Sequence, residues 1–204
     1  MTNESKSKFI DAARKVIARL GVNNATVQAI VDEAGSSKGA LYHYYNSKND
    51  ILYDVMDQSL NKSTQVTQQL NSEAFSIEQV YESIGEGMTE HFQKKKDENR
   101  VQFYLAQEAM LGNKDIQVKF NEKYGEWIDQ VEQTMLLLYG SENTLLNRAM
   151  AATFIAAVDG LVMQDLMGVK AVSPREIKEL WEFMLKEGIP SVKNRLAANS
   201  PEKS

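Results

Sequence analysis

The feature that most constrains this fold is a pair of short amphipathic helices predicted within residues 26–48. Apolar side chains spaced i, i+3, i+4 and i+7 give the first helix one buried face. These side chains are Val27, Ile30, Val31 and Ala34. Thr26 is placed to cap the start of this helix and Gly35 to end it. Because the second helix follows within a few residues, the pattern predicts a helix-turn-helix unit.

The second helix of this unit would expose mainly small and polar side chains. Ser37 is placed to cap its start, and Leu41 and Tyr45 would point inward. The outward side chains include hydroxyls, an imidazole and a lysine, which can bind phosphate oxygens. Gly39 and Ala40 are small enough to let the backbone approach base edges. These outward residue types indicate a helix that binds duplex DNA. For Leu41 and Tyr45, which would point inward, packing in a small helical core is the interpretation.

Residues 9–48 resemble the TetR family of bacterial transcriptional regulators. The resemblance rests on the run Ser-Ser-Lys-Gly-Ala-Leu-Tyr-His-Tyr-Tyr at 36–45 and on the lysine just beyond it. It implies that one set of residues holds the phosphate backbone: Thr26, Ser37, Tyr42, Tyr44 and Lys48. It implies that a second set approaches the major groove: Ser36, Lys38, Gly39, Ala40 and His43. Because Ala40 offers only a methyl group, we expect base readout to rest on few side chains and on DNA shape.

Charge is distributed unevenly along the chain. Residues 1–48 contain seven Lys and Arg against four Asp and Glu, a net charge of +3. Since the whole chain carries −5, the remaining residues carry −8. This asymmetry is expected when only the N-terminal part meets a polyanion. The negative charge of the remaining residues does not require a partner, because an acidic surface can simply be solvated. Such a surface would also repel DNA from the wrong face of the protein.

Composition and patterning predict an all-α protein. With 204 residues and 43% hydrophobic content, the chain can bury a sizeable core. We expect a helix-turn-helix DNA-binding domain at 1–48, a larger helical effector-binding and dimerisation domain at 49–198, and a disordered tail at 199–204. There is no cysteine, and no basic and apolar leader precedes Phe9, so we expect a cytoplasmic protein. The apolar run at 150–169 contains Asp159 and Asp165 and is not expected to span a membrane.

Helix boundaries elsewhere are predicted from caps and breaks. The first helix should bury one stripe and end at Gly21. The stripe is Phe9, Ala13, Val16, Ile17 and Leu20. Three serines are placed as helix caps: Ser47, Ser76 and Ser173. A break is expected at 112–113, and the last long pair of helices at about 142–167 and 174–186.

This last pair of helices is predicted to form a homodimer interface. Small residues recur at three- to four-residue spacing and would let helices approach closely. They are Ala149, Ala152, Ala156 and Gly160, and the following helix adds Leu180, Trp181 and Met184. An ordinary intrachain core is the alternative. Dimerisation would let two recognition helices reach successive major grooves about 34 to 36 Å apart.

A small-molecule site is also expected in the C-terminal part. The resemblance implies helices around a cavity, and methionine and aromatic side chains suit an adaptable apolar pocket. The candidates are Met88, His91, Phe92, Phe103, Tyr104, Gln107, Phe120, Tyr124 and Trp127. Core packing is the alternative for each of them. The expected ligand is hydrophobic or amphipathic, and by tilting the helix that begins at Lys48 it would release a repressor from operator DNA.

Enzymatic function has little support in the sequence. The two histidines, His43 and His91, lack the spacing of a helical metal site, and there is no phosphate-binding lysine loop or nucleophile elbow. Gly85 and Gly87 lack the third glycine of a dinucleotide fingerprint. We therefore expect no catalytic residues, no cofactor and no metal. A DNA-binding adaptor or co-activator whose body binds another protein remains the main alternative.

Overall fold

The computed structural model describes residues 2–60, 76–94, 96–140 and 144–198. Within these ranges the chain forms ten α-helices and no strand, which confirms the all-α prediction. A π-helical turn at Met184–Gly188 joins the last two helices. In chain order the helices are α1 (Thr2–Leu20), α2 (Val27–Glu33), α3 (Lys38–Tyr42), α4 (Lys48–Leu60), α5 (Ile77–Lys94), α6 (Lys96–Met110), α7 (Lys114–Tyr139), α8 (Thr144–Leu166), α9 (Pro174–Phe183) and α10 (Ile189–Ala198).

Internal contacts divide the chain into two compact units. The first comprises Met1–Ser63 and Lys95–Glu126, and the second comprises Thr64–Lys94 and Trp127–Ser204. The division of function at residue 48 stays a prediction. The predicted tail at 199–204 lies outside the described residues.

The first unit is built around α1 and α4. Four of the five predicted stripe residues of α1 are at most 3% exposed, but Leu20 is 43% exposed, so its predicted burial is wrong. Leu20 is the last residue of its helix, and the chain turns away directly after it at Gly21, whose φ is +77°. The Ser47 cap is confirmed, since its Oγ accepts a hydrogen bond from the Asp50 amide at 3.2 Å. The helix that follows buries Ile51, Leu52, Val55 and Met56. These contacts fix α4 against α1 and α6.

The second unit has its own apolar core. The buried centre consists of Tyr81, Met135, Leu185 and Ile189. The predicted serine caps are confirmed for α5 and α9, where Ser76 and Ser173 form reciprocal boxes with Gln79 and Glu176. Helices α5 and α9 approach closely at Gly85, where an added Cβ would lie 3.2 Å from Cε of Lys178.

The C-terminal helix is longer than predicted. Its predicted end at Lys186 is wrong, because helical structure continues to Ala198. Gly188 and Pro190 look like stop signals, since proline lacks an amide hydrogen and its ring clashes with the preceding turn. Here the Ile189 amide instead reaches back five residues to the carbonyl of Met184. The wider turn lets the helix continue past the proline.

Candidate functional site

Two hydroxyl caps shape the helix-turn-helix unit as predicted. The Thr26 Oγ accepts a hydrogen bond from the Ala29 amide, and the Ser37 Oγ accepts one from the Ala40 amide, each at 3.1 Å. Gly35 makes the turn between the helices with a φ of +55°. A capping hydroxyl uses only its oxygen, so its hydrogen is still able to donate to a phosphate. Thr26 and Ser37 are both exposed, so each hydroxyl can accept the amide hydrogen bond of its cap and donate its own hydrogen to a phosphate.

The inward side of α3 is fixed by two residues. Leu41 is fully buried and Tyr45, just after the helix, is 4% exposed, which confirms their predicted orientation. The Tyr45 hydroxyl donates to the Asp54 carboxylate at 3.0 Å, and Lys6 pairs with the same carboxylate at 2.8 Å. Burial, with the nearby Asp54 charge, raises the pKa of Tyr45 well above its ordinary value, so it stays a neutral donor. These contacts hold α3 in one orientation.

The other residues of this segment are accessible. Seven of the predicted DNA-binding residues are exposed: Thr26, Ser37, Lys38, Gly39, Ala40, Tyr42 and His43. The remaining three are half-buried: Ser36, Tyr44 and Lys48. Tyr42 is 51% exposed, so its side chain is accessible to a partner. Their assignment to phosphate or base contacts remains a prediction.

A cleft lies beside α3, where α1 approaches it. It has a volume of about 270 Å³ and is lined by Lys8, Phe9, Ser36, Ala40, His43 and Tyr44. The Tyr44 ring lies between those of Phe9 and His43, with centroid distances of 6.1 and 5.1 Å. Lys8 was not predicted as a site residue, because its proximity to α3 depends on how α1 packs and has no signal in the local sequence.

Lys48, at the start of α4, contacts α6. Its Nζ lies 5.0 Å from the centroid of the Tyr104 ring, a cation–π distance. The neighbouring Asn49 donates a side-chain hydrogen bond to Glu108 at 3.4 Å. Helix α6 therefore holds the first turn of α4, from which Lys48 is predicted to contact phosphate.

Helix α4 is also joined to α7 by polar contacts. Asp50 pairs with Lys119, and Asp57 pairs with the buried Lys123 at 2.6 Å. Burial by itself raises the pKa of Asp50, but hydrogen bonds from Lys119 and Ser47 lower it overall. Burial lowers the pKa of Lys123, and its carboxylate partners more than reverse this. Both ion pairs connect α4 to α7.

An open apolar groove lies between α6 and α7 in the first unit. Its volume is about 410 Å³, and it is lined by Ala106, Ala109, Met110, Gln117, Phe120, Asn121 and Tyr124. The Phe120 and Tyr124 rings stack with centroids 5.8 Å apart, and the Tyr124 hydroxyl accepts a hydrogen bond from Gln102 at 3.2 Å. The groove thus offers apolar walls with a few polar groups at its edge.

The groove contains only part of the predicted ligand set. Phe120 and Tyr124 line it, Phe103 is half-buried elsewhere on α6, and Gln107 is exposed. Trp127 belongs to the second unit. The side chains of Met88, His91 and Phe92 lie outside the described residues. Sequence patterning missed Ala106 and Ala109, because small residues on a helix carry no signal for a groove.

Apolar side chains of α8 and α9 are exposed in the single chain. Among the predicted interface residues Ala149 and Ala156 are exposed, and Ala152, Gly160 and Trp181 are half-buried. Leu180 is 58% exposed and Met184 36%. Phe183, which sequence patterning missed, is 59% exposed. Large apolar surfaces of this kind mark interaction sites.

The apolar character of α8 is high enough to pass a simple membrane test. Within the described residues, Asn147–Leu166 has a mean hydropathy of 1.4 and the length to cross a membrane, with 11% of it buried. A single helix of this length and composition is weak evidence for a membrane span. Among the described residues no three His, Asp or Glu side chains are grouped to hold a metal ion.

Comparison with known proteins places the helix-turn-helix unit in a family. Residues 9–55 match the family model described as bacterial regulatory proteins, tetR family. The chain is 27% identical over 133 residues to the HTH-type transcriptional regulator SrpR of Pseudomonas putida. That alignment covers 63% of this chain, and the chain spans about three fifths (59%) of the relative's length.

Solved structures are similar to this chain over most of its length. The fatty acid degradation regulator FadR from Bacillus halodurans superposes with a TM-score of 0.67 at 22% identity, covering 91% of this chain and 96% of that one. A proposed transcriptional regulator from Saccharomonospora viridis, in complex with choline, superposes with a TM-score of 0.65 at 20% identity. That comparison covers 91% of this chain and 97% of the other. At such identities the likeness concerns the fold.

Proposed function

Because the chain belongs to the TetR family of bacterial regulatory proteins, we propose that it is a homodimeric DNA-binding transcriptional repressor, released from its operator by a small molecule. The observation that carries the proposal is the α3 segment, which buries Leu41 and Tyr45 and exposes most of its other residues. The net charge of +3 over residues 1–48 supports contact with a polyanion. As a DNA-binding regulator the protein would act in the cytoplasm.

Selection of bound sequences from a random duplex pool tests the DNA-binding part. A twofold-symmetric sequence should be enriched, since a symmetric dimer binds two related half-sites. Unselective weak binding to every duplex would contradict sequence-specific regulation. It would favour the alternative of an adaptor or co-activator whose body binds another protein.

Lys48→Ala should weaken binding to the selected operator and reduce its salt dependence. The slope of log affinity against log salt should fall by about 1.8, because the dimer loses one phosphate contact, worth about 0.9, in each subunit. Titration at several salt concentrations measures this slope. Lys114→Ala is the matched control, because that lysine is exposed in the same unit and donates a hydrogen bond to nearby Gln117. An unchanged slope for Lys48→Ala would remove Lys48 from the phosphate-binding set.

The exposed apolar side chains of α8 and α9 support a homodimer. Leu180 and Phe183 lose contact with water if α8 and α9 of two copies form a four-helix interface. Small residues on α8, such as Ala149 and Ala156, allow close approach in such an interface. A second copy also brings the second recognition helix that a twofold operator requires.

The groove between α6 and α7 supports a small-molecule effector. Both of its walls contact α4 directly, through Tyr104 and Glu108 on one side and Lys119 on the other. A ligand that changes the separation of α6 and α7 would therefore change the position of α4, which begins at Lys48. Apolar lining with stacked aromatic rings suits a hydrophobic or amphipathic molecule.

Filling this groove should uncouple the effector from DNA binding. Ala109→Trp places an indole in the groove, so compounds that release the wild-type protein from its operator should lose that effect. Operator affinity without ligand should change by less than about threefold, because the substitution is remote from α3. Competition between amphipathic compounds and a labelled operator measures both quantities.

Val118→Trp is the matched control for this experiment. It adds the same ring to an exposed site on α7 that does not line the groove. Equal responses to effector in the wild type and Ala109→Trp would show that the effector binds elsewhere.

A further inference from the structure

The cleft between α1 and α3 contains a cation from outside the helix-turn-helix unit. Lys8 is exposed and forms one side of the cleft, while the adjacent Phe9 is 3% exposed and anchors α1 in the core. Lys6, two residues earlier, pairs with Asp54. Among the described residues Lys8 has no such carboxylate partner. Its charge is therefore available to an external anion.

The cleft lies on one flank of α3. Successive helical residues are about 100° apart, so burial of Leu41 and Tyr45 turns Gly39 and His43 outward. Ala40 and Tyr44 then lie on the flank towards α1, where the Tyr44 ring meets Phe9. The cleft is thus beside the face predicted to read bases.

We propose that Lys8 binds a backbone phosphate of the operator, next to the major groove that α3 enters. The major groove is about 12 Å wide and has phosphates along both edges, so a helix inside it has a phosphate strand beside each flank. Ser36 and His43, which are predicted to approach the bases, line the same cleft, so its phosphate contact would rest on the Lys8 ammonium. The protein's contact with DNA would then extend from the helix-turn-helix unit to α1.

This inference rests on the proposed DNA-binding function. The wild type must therefore first bind its selected operator with a salt-dependent affinity. Failure of that first step would overturn the proposed function, whereas the variants below address only Lys8.

Because each dimer carries two copies of Lys8, Lys8→Ala should reduce the slope of log affinity against log salt by about 1.8, or about 0.9 for each lost phosphate contact. Raising the salt fourfold should consequently weaken the wild type about 12-fold more than this variant. Because a phosphate contact carries no sequence information, affinity for the operator and for an unrelated duplex should fall by the same factor. Fluorescence anisotropy with both duplexes at several salt concentrations measures these effects.

Two matched variants distinguish an effect of the cation in the cleft from a general effect of positive charge on α1. Lys8→Arg keeps the cation and should retain the wild-type slope. Lys15→Ala removes the same charge from an exposed site on α1 that does not line the cleft, and its slope should also stay unchanged. An unchanged slope for Lys8→Ala, or an equal fall for Lys8→Ala and Lys15→Ala, would overturn the inference. A loss confined to the operator would overturn it as well, since it would indicate a base contact.

Discussion

Replacing Leu180 with glutamate should convert the protein into a monomer and lower its operator affinity by about 10²–10⁴-fold, the loss expected when two linked binding sites become independent. Leu180 is 58% exposed on α9, within the apolar surface proposed to pair two copies. In a twofold interface each substitution appears twice, so two carboxylates would be desolvated. Sedimentation velocity measures the oligomeric state, and operator titration measures the affinity.

Leu137→Glu is the matched control for the dimer prediction. It makes the same substitution at a leucine that is 53% exposed on α7, outside the proposed interface. This variant should remain dimeric and keep its operator affinity. A Leu180→Glu protein that sediments as a dimer would place the interface elsewhere.

Replacing Leu41 with alanine should destabilise the protein by about 2–5 kcal/mol, the range for removing a large buried side chain. Leu41 is fully buried in the helix-turn-helix unit, where a cavity would be left beneath α3. Urea unfolding measures the change in the free energy of unfolding. Operator binding should be lost together with the folded α3.

The adjacent Tyr42→Ala variant should behave in the opposite way. Its side chain is 51% exposed, so the free energy of unfolding should change by only about 0.5 kcal/mol. Operator affinity should nevertheless fall, because Tyr42 is predicted to contact phosphate. If Tyr42→Ala unfolds as easily as Leu41→Ala, the tyrosine has a structural role and leaves the DNA-binding set.

Local sequence was sufficient for features that depend on neighbours along the chain. A cap joins residues three positions apart, and a helix face repeats every 3.6 residues, so Thr26, Ser37 and Ser173 could be recognised from their spacing alone. The orientation of Leu41 and Tyr45 followed from the same periodicity. Stop signals were less reliable, because a wider turn before Pro190 carried the last helix to Ala198.

Contacts between distant segments were decided only by tertiary structure. Lys8 lines the cleft with His43 because α1 packs across the helix-turn-helix unit, and Lys48 meets Tyr104 because α6 packs on α4. The groove between α6 and α7 likewise depends on the gap left between two helices. The sequence by itself determined the all-α class, the helix caps and the helix-turn-helix pattern, since these arise from short-range hydrogen bonds and side-chain periodicity. Only the packing of whole helices decided which charged and aromatic side chains meet. That packing depends on many apolar contacts between residues that are far apart in the chain, so no local pattern reveals it.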